Sequence, residues 1–182
     1  MTNLGKWDRW YYGLRKNDPQ PYGDTVTYQL GAEWLKDCSL IEDWGCGKGW
    51  FSKFVPAEKY VGIDGSHSPF ATLTRDLVNY TSNVPGIFMR HVIEHNYEWK
   101  TLLNKALISF QERMVLILFT PLVEETHEVF YNHDPGVPDM AFSLKDLVEL
   151  FEAAGVSYHY ETVSSHTNYG EETIFYLEKI KK

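Results

Sequence analysis

Short apolar runs broken by polar and glycine-rich stretches run along the whole chain, and their period changes from one segment to the next. Leu40-Ile41 opens a brief apolar stretch that meets a helix-forming one, and a glycine-rich run lies at the junction. Tyr60-Val61-Gly62-Ile63-Asp64 is a second stretch, ending in an acid. Residues 71–77 read as a third strand, and 86–95 as a fourth strand with its exit. Between Asn96 and about Glu112, the apolar positions Trp99, Leu102, Leu103, Ala106, Leu107 and Phe110 fall at helical spacing. Residues 114–119 are all apolar and predict a fully buried strand, closed by Thr120-Pro121. Ser143 then suits the cap of a helix running to Ala154, with Gly155 as its stop signal. Residues 157–163 and 173–179 predict two final strands. Strands and helices alternate, which is the pattern of an α/β fold.

The glycine-rich run is Glu42-Asp43-Trp44-Gly45-Cys46-Gly47-Lys48-Gly49. Three glycines at alternate positions let the backbone turn sharply after a strand and bring its N–H groups close to a ligand. The acid just before them can accept a hydrogen bond from a ligand amine. The dinucleotide fingerprint needs Gly-x-Gly-x-x-Gly, and position 50 is Trp. The phosphate loop needs Gly-Lys-Ser/Thr after four spacers, whereas Lys48 precedes Gly49 here. A nicotinamide oxidoreductase therefore remains only a rival reading.

This run resembles the first motif of the class I S-adenosylmethionine-dependent methyltransferases, and the likeness extends from about Asp24 to the C-terminus. The resemblance implies a Rossmann-like α/β sandwich, a seven-stranded, mostly parallel sheet with its last strand antiparallel. It implies S-adenosylmethionine as cofactor. Asp43, Gly45, Gly47 and Gly49 would hold its methionine half. Asp64, 21 residues after Asp43, would take the ribose hydroxyls, and Asp76 the adenine amino group. Arg90 joins this cofactor-binding set. The string Arg90-His91-Val92-Ile93-Glu94-His95 is similar to the exit of the family's fourth strand. One departure stands out. Asp64 and Asp76 are only 12 residues apart, and residues 65–70 cannot hold the helix that the family usually has there. The adenine side of the pocket is expected to be open or built differently.

Composition narrows the classes. At 182 residues the chain predicts one domain with room for a proper core. It is 43% hydrophobic and 15% aromatic, as a folded protein rich in rings would be. No apolar run of about 18 residues exists, so no membrane span is expected. Met1 to Trp7 lack the apolar core of a signal peptide. Cys38 and Cys46 do not make a disulfide framework, and the expected location is a reducing cytoplasm. A net charge of −8 makes nucleic acid an unlikely partner, since phosphate binding needs clustered Lys and Arg; basic clusters occur only at 9–16 and 179–182.

Methyl transfer is a direct displacement that needs alignment and often a base. The base candidates are His91, at the ligand edge of the sheet, and His127 and His133. The last two lie in residues 122–141, a breaker-rich segment read as a substrate-lid loop. Tyr131 and Asn132 would be its substrate contacts. Its density of His and acids also allows a divalent metal, although the spacing matches no metal motif. Glu94 and His95 read as capping or packing residues, or as part of the same cluster. The ring-dense residues 1–23 predict a cover over the cleft, or else satellite packing. The adenine-specific Asp/Asn-Pro-Pro motif and the Pro-Cys of cytosine-C5 enzymes are both absent. The acceptor is therefore expected to be a small molecule, or the terminus of a sugar or peptide, bearing an O or N nucleophile. A catalytically inactive methyltransferase fold that binds or regulates a partner is the alternative.

Overall fold

A computed structural model describes residues 4–12 and 22–180. Seven strands form one sheet: β1 (Ile41–Trp44), β2 (Tyr60–Asp64), β3 (Leu73–Thr74), β4 (Val84–Arg90), β5 (Phe110–Leu118), β8 (Val156–Ser164) and β9 (Glu171–Lys179). Their spatial order is β3-β2-β1-β4-β5-β9-β8. The first five are parallel. β9 runs antiparallel to both β5 and β8, so the last strand alone is reversed. A separate two-stranded sheet joins β6 (His127–Asn132) to β7 (Val137–Ala141).

Period-2 alternation splits the strands between two cores. Met114, Leu116 and Leu118 of β5, Ile87 and Met89 of β4, and Phe175 and Leu177 of β9 face one side. There they meet α3 (Trp99–Ser109) and α4 (Leu144–Ala153). Val115, Ile117, Phe88, Ile174 and Tyr176 face the other, against α2 (Val26–Leu35). α4 starts as its sequence predicts: the Ser143 hydroxyl accepts the Asp146 N–H, and Gly155 follows with φ +64°.

Four expectations change. The glycine-rich run leads into a single 3-10 turn, Trp50–Lys53, and not into a helix. Pro56 holds residue 55 out of the α region, and the Phe51 ring turns inward to stack on Phe88, 3.7 Å between centroids. The third strand shrinks to Leu73–Thr74, because the Asp76 carboxylate accepts from Val78 N–H and Asn79 Nδ2 and turns the chain. α3 stops at Ser109, whose hydroxyl bonds back to Lys105 O, and β5 begins at once. Within residues 122–141, positions 127–141 form a β-hairpin rather than a loop. Gly136, at φ +83°, donates its N–H to Asn132 O and closes the turn, and every residue of β7 is buried. Between β2 and β3 there is no helix, as the 12-residue spacing predicts.

α1 (Asp8–Tyr12) stands over the carboxyl end of the sheet. Gly5 N–H donates to Gly65 O, Trp7 N–H to Ser66 Oγ and His67 N–H to Asp8 Oδ1. The N-terminal segment is thus pinned to the turn where the family usually has a helix. Residues 1–3 and 13–21 of the expected cover, and 181–182 of the basic tail, lie outside the described residues. Among the described residues no helix is long and apolar enough to cross a membrane.

α2 sits close to the sheet through Gly31. A Cβ there would lie 2.5 Å from the Phe88 ring, which is itself backed by Phe51. Gly31→Ala gains about 1 kcal/mol in helix propensity, but overpacking costs about 1–3 kcal/mol. With a stacked ring in the way the upper end applies, so a net loss of about 1–2 kcal/mol in urea unfolding is expected. An unchanged midpoint would show that the ring yields.

Candidate functional site

The strand order reverses direction between β1 and β4, the place where open α/β sheets bind ligands. A cavity of about 610 Å³ opens there, within the size range of small-molecule sites. Its walls include Gly45, Gly47, Asp64, Asp76, Arg90, His91 and His95 from the sheet edge. Trp7, Trp10 and Tyr11 of the N-terminal segment and Asn132, Val137 and Asp139 of the hairpin complete it.

The glycines do different jobs. Gly45 has φ +77°, and a Cβ on it would lie 2.3 Å from Val92 Cγ2. Gly49 packs on Phe70 and is not part of the cavity wall. Gly47, at φ +50°, faces the cavity, where the nearest foreign atom to a Cβ would be Tyr11 Oη at 3.4 Å. The loop is tied down by Gly45 and Cys46 N–H groups on Ile63 O and by the Ser68 hydroxyl on Gly47 O.

Asp64 is 5% exposed. Its Oδ2 accepts Gly47 N–H at 2.9 Å and its Oδ1 accepts Ser66 N–H at 2.8 Å. Burial raises its carboxyl above the ordinary range, opposed by these two donors and by the Gly65 backbone. Asp43 lies behind the loop and outside the cavity wall. It accepts the Tyr60 hydroxyl at 2.9 Å. Burial pushes its carboxyl up to about 7; the Tyr60 bond and, more weakly, Arg90 pull it down, while Asp64 adds to the rise. Tyr11, sunk against the loop, has its hydroxyl raised by burial and then by the charge of Asp64.

Arg90 lines the cavity but its donors go to the protein. Nε donates to Thr27 Oγ1, Nη1 to the Tyr28 hydroxyl and Nη2 to Tyr22 O, and Nη2 is 2.7 Å from Glu172 Oε1. His91 Nε2 is 2.5 Å from the same oxygen. His91 has φ 58°, a strained conformation for a residue with a Cβ. Burial, then the Arg90 charge, pushes its imidazole down to about 3. It is neutral and donates Nε2–H to an ionised Glu172. Burial alone would raise Glu172, but His91 and Arg90 hold it below the carboxylate range.

Two base candidates are not brought to the site. His127 is exposed on β6, its Nδ1 bonded to Glu125 O. His133 is exposed in the hairpin turn beside the Tyr131 ring. β6 is the outer strand of its small sheet and five of its six residues are exposed; of the expected lid contacts, Asn132 lines the cavity and Tyr131 does not. His95, which the sequence reads either as a capping or packing residue or as a member of the ligand-edge cluster, does line it. Its Nδ1 is 3.1 Å from Asp139 Oδ1 and 3.2 Å from Pro138 O. Nothing in the sequence pairs a residue after β4 with one in the hairpin, so this contact was not readable in advance. Glu94, beside it, is fully buried; Oε1 accepts Phe119 N–H, Oε2 has no partner, and burial raises the carboxyl to about 7. Among the described residues no group of three or more His, Cys, Asp or Glu side chains is placed to hold a metal.

No family model matches the chain, and no curated protein matches it. Solved structures do. The Burkholderia thailandensis 1,6-didemethyltoxoflavin-N1-methyltransferase, crystallised with 1,6-didemethyltoxoflavin and S-adenosylhomocysteine, superposes with TM-score 0.68 at 14% identity over 87% of this chain and 80% of its own. The chain has the class I methyltransferase fold. Magnesium protoporphyrin IX methyltransferase from Synechocystis with S-adenosylhomocysteine bound gives TM-score 0.65 at 17% identity, covering 96% of this chain and 93% of that one. A Mesorhizobium loti S-adenosylmethionine-dependent methyltransferase gives 0.57 at 12% identity, over 77% and 90%. From β1 to β4 the connections hold two 3-10 turns and no α-helix, and the β6–β7 hairpin stands beside the seven-stranded sheet.

Asp43 gives a pH-dependent test. Its folded carboxyl titrates above its ordinary value of 3.8, near 7, so the folded state holds the extra proton between these values. Its contribution therefore falls as pH rises through that window. Asp43→Asn cannot ionise and escapes the loss. Relative to wild type, the variant should gain about 2–4 kcal/mol in unfolding free energy between pH 5 and pH 8. Parallel stability–pH curves for the two proteins would contradict the assignment.

Proposed function

We propose that this chain is a methyltransferase that moves the methyl group of S-adenosylmethionine to an oxygen or nitrogen of a small-molecule or terminal acceptor. The observation that carries the reading is the juxtaposition of Gly47 and Asp64 at one end of the cavity. A left-handed glycine puts no side chain into the cavity, so a ligand can lie close against the loop, and a nearly buried carboxylate accepts that glycine's N–H. A carboxylate has about four lone-pair sites. Asp64 spends part of this capacity on the backbone N–H groups of Gly47 and Ser66, with Gly65 a further backbone donor, and what remains is available to a ribose hydroxyl. The set fits the cofactor that relatives of this fold carry in their crystals.

In this reading Gly45 and Gly47 take the methionine half, Asp64 the ribose, and Asp76, also on the wall, the adenine side. Asp43, Gly49 and Arg90 act from behind, by shaping the loop and locking the floor. The cofactor supplies a sulfonium-bound methyl carbon open to direct displacement. The protein aligns the acceptor with that carbon and excludes water, the work of Trp7, Trp10 and Tyr11 over the mouth. The small-acceptor reading is supported by the size of the cavity, about 610 Å³, and by two neighbours whose names carry small molecules. The −8 net charge argues against a nucleic-acid acceptor.

Titration calorimetry tests the reading. Wild type should bind S-adenosylmethionine and S-adenosylhomocysteine, and Asp64→Ala should weaken both by about 1–3 kcal/mol, the cost of leaving buried polar groups unpaired. Asp64→Asn, which can still accept one loop N–H, guards against mere unfolding and should lie between. No binding of either ligand by folded wild type would shift the reading to a non-catalytic, partner-binding methyltransferase fold.

A further inference from the structure

Two histidines face one cavity, and each is held by a buried carboxylate, but through opposite ring nitrogens. His91 is held through Nε2 by Glu172. His95 is held through Nδ1, where both neighbours, Asp139 Oδ1 and Pro138 O, are acceptors. Nδ1 must therefore carry the proton, and Nε2 of the neutral ring keeps a lone pair. This is the tautomer and orientation that a carboxylate imposes on a histidine base. Asp139 is 7% exposed on β7, and it would stabilise the imidazolium formed when Nε2 takes a proton. His91 is the mirror arrangement, with its lone pair on Nδ1, but its burial, and then the Arg90 charge beside it, oppose the imidazolium that a base must become.

The surroundings of His95 also bear on the acceptor. Its ring sits between Trp7, 5.1 Å away, and Phe119, 5.4 Å away. Trp10 and Tyr22 continue the same wall, and Asn132 supplies a polar amide. Flat aromatic faces select flat ligands, which they can stack or meet edge-on.

Building on the methyltransferase reading, we infer that His95, held by Asp139, is the base, and that the acceptor is a planar aromatic or heteroaromatic molecule bearing a ring hydroxyl or ring N–H. The acceptor's oxygen or nitrogen bonds to the methyl carbon as the carbon–sulfur bond breaks, and that electron pair stays on sulfur. The acceptor's proton passes to His95 Nε2 and later to water. The other ionisable groups around His95 are Glu94 on its own turn, His91 with Arg90 and Glu172 on the sheet, and Asp139 on the hairpin.

The first test needs no acceptor. In nitrogen-15 spectra of the labelled whole chain, with the ring signals assigned by loss in His95→Asn, His95 should be the Nδ1–H tautomer, the minor form in free histidine. An Nε2–H tautomer overturns the dyad. The second test uses methyl-labelled S-adenosylmethionine with catechol, 4-hydroxyquinoline and xanthine as planar probes, and glucosamine and ethanolamine as aliphatic ones. Turnover should be confined to planar probes. His95→Asn should then lower kcat by about 10²–10⁴-fold, with KM within about threefold and S-adenosylhomocysteine affinity unchanged. Asp139→Asn should lower kcat in the same sense and by less. Turnover of aliphatic probes alone, of no planar probe, or an unchanged kcat in His95→Asn overturns the inference. Failure of wild type to bind S-adenosylhomocysteine strikes the parent reading instead, and the calorimetry separates the two.

Discussion

The reversal of one strand organises this molecule. β9 runs against its neighbours, so its first residues arrive at the carboxyl ends of the parallel strands, where the cavity opens. Glu172 therefore meets Arg90 at the end of β4, with no exposure for Glu172 and 8% for Arg90. A buried ion pair is costly to desolvate and stands only when its remaining hydrogen-bonding sites are filled. Here they are filled by Thr27 and Tyr28 of α2, Tyr22 O and His91. One pair thus fastens β4, β9, α2 and the chain leading into it. The left-handed backbone of His91 fits the same logic, since it belongs to the turn that sets the ring on Glu172.

That floor lets the site dispense with ordinary parts. The loop after β1 has only a 3-10 turn behind it, so no full helix dipole is available there. Its position is fixed instead by hydrogen bonds to β2, by Phe70 against Gly49 and by Val92 against Gly45. Without a helix after β2, the turn at 65–68 is free to receive the N-terminal segment, and Gly5, Trp7 and Asp8 occupy it. The missing helix and the added cover are two sides of one exchange.

The half of the cavity next to Gly47 and Asp64 was legible in the sequence because its residues are forced by backbone geometry. Only glycine tolerates the left-handed turns at 45, 47 and 49 with side chains as near as 2.3 Å, and Asp64 is readable as the last residue of an apolar strand. The strands of the sheet were legible for the same reason, through alternation and burial. The hairpin was not. Pro135-Gly136 looks like a loop breaker, and Pro138 demotes the run that holds it. In the fold, Pro138 lies in β7 opposite Tyr131, and its carbonyl turns to His95. The exposed His127 and His133 drew attention because of composition, whereas His95 depended on a contact between distant segments.

The division has a chemical meaning. In the proposed reading the sheet and its loops make the cofactor wall, and that wall follows from strand order. The opposite wall is made by α1, the hairpin and the turn at Ile93–His95, none of which the strand order dictates. Among the described residues, the hairpin and the turn at 93–95 make no hydrogen bond to Gly47 or Asp64, whereas α1 is tied to the turn at 65–68 and sets Tyr11 against the loop; variation in such surrounding pieces is how one fold comes to serve many acceptors. Here they bring two tryptophans and a carboxylate-held histidine to one face, beside Phe119 at the exit of β5. The carboxylate reaches His95 only because β7, rather than the exposed β6, packs inward. The inward strand of the hairpin therefore links the packing of the molecule to the protonation state of its base.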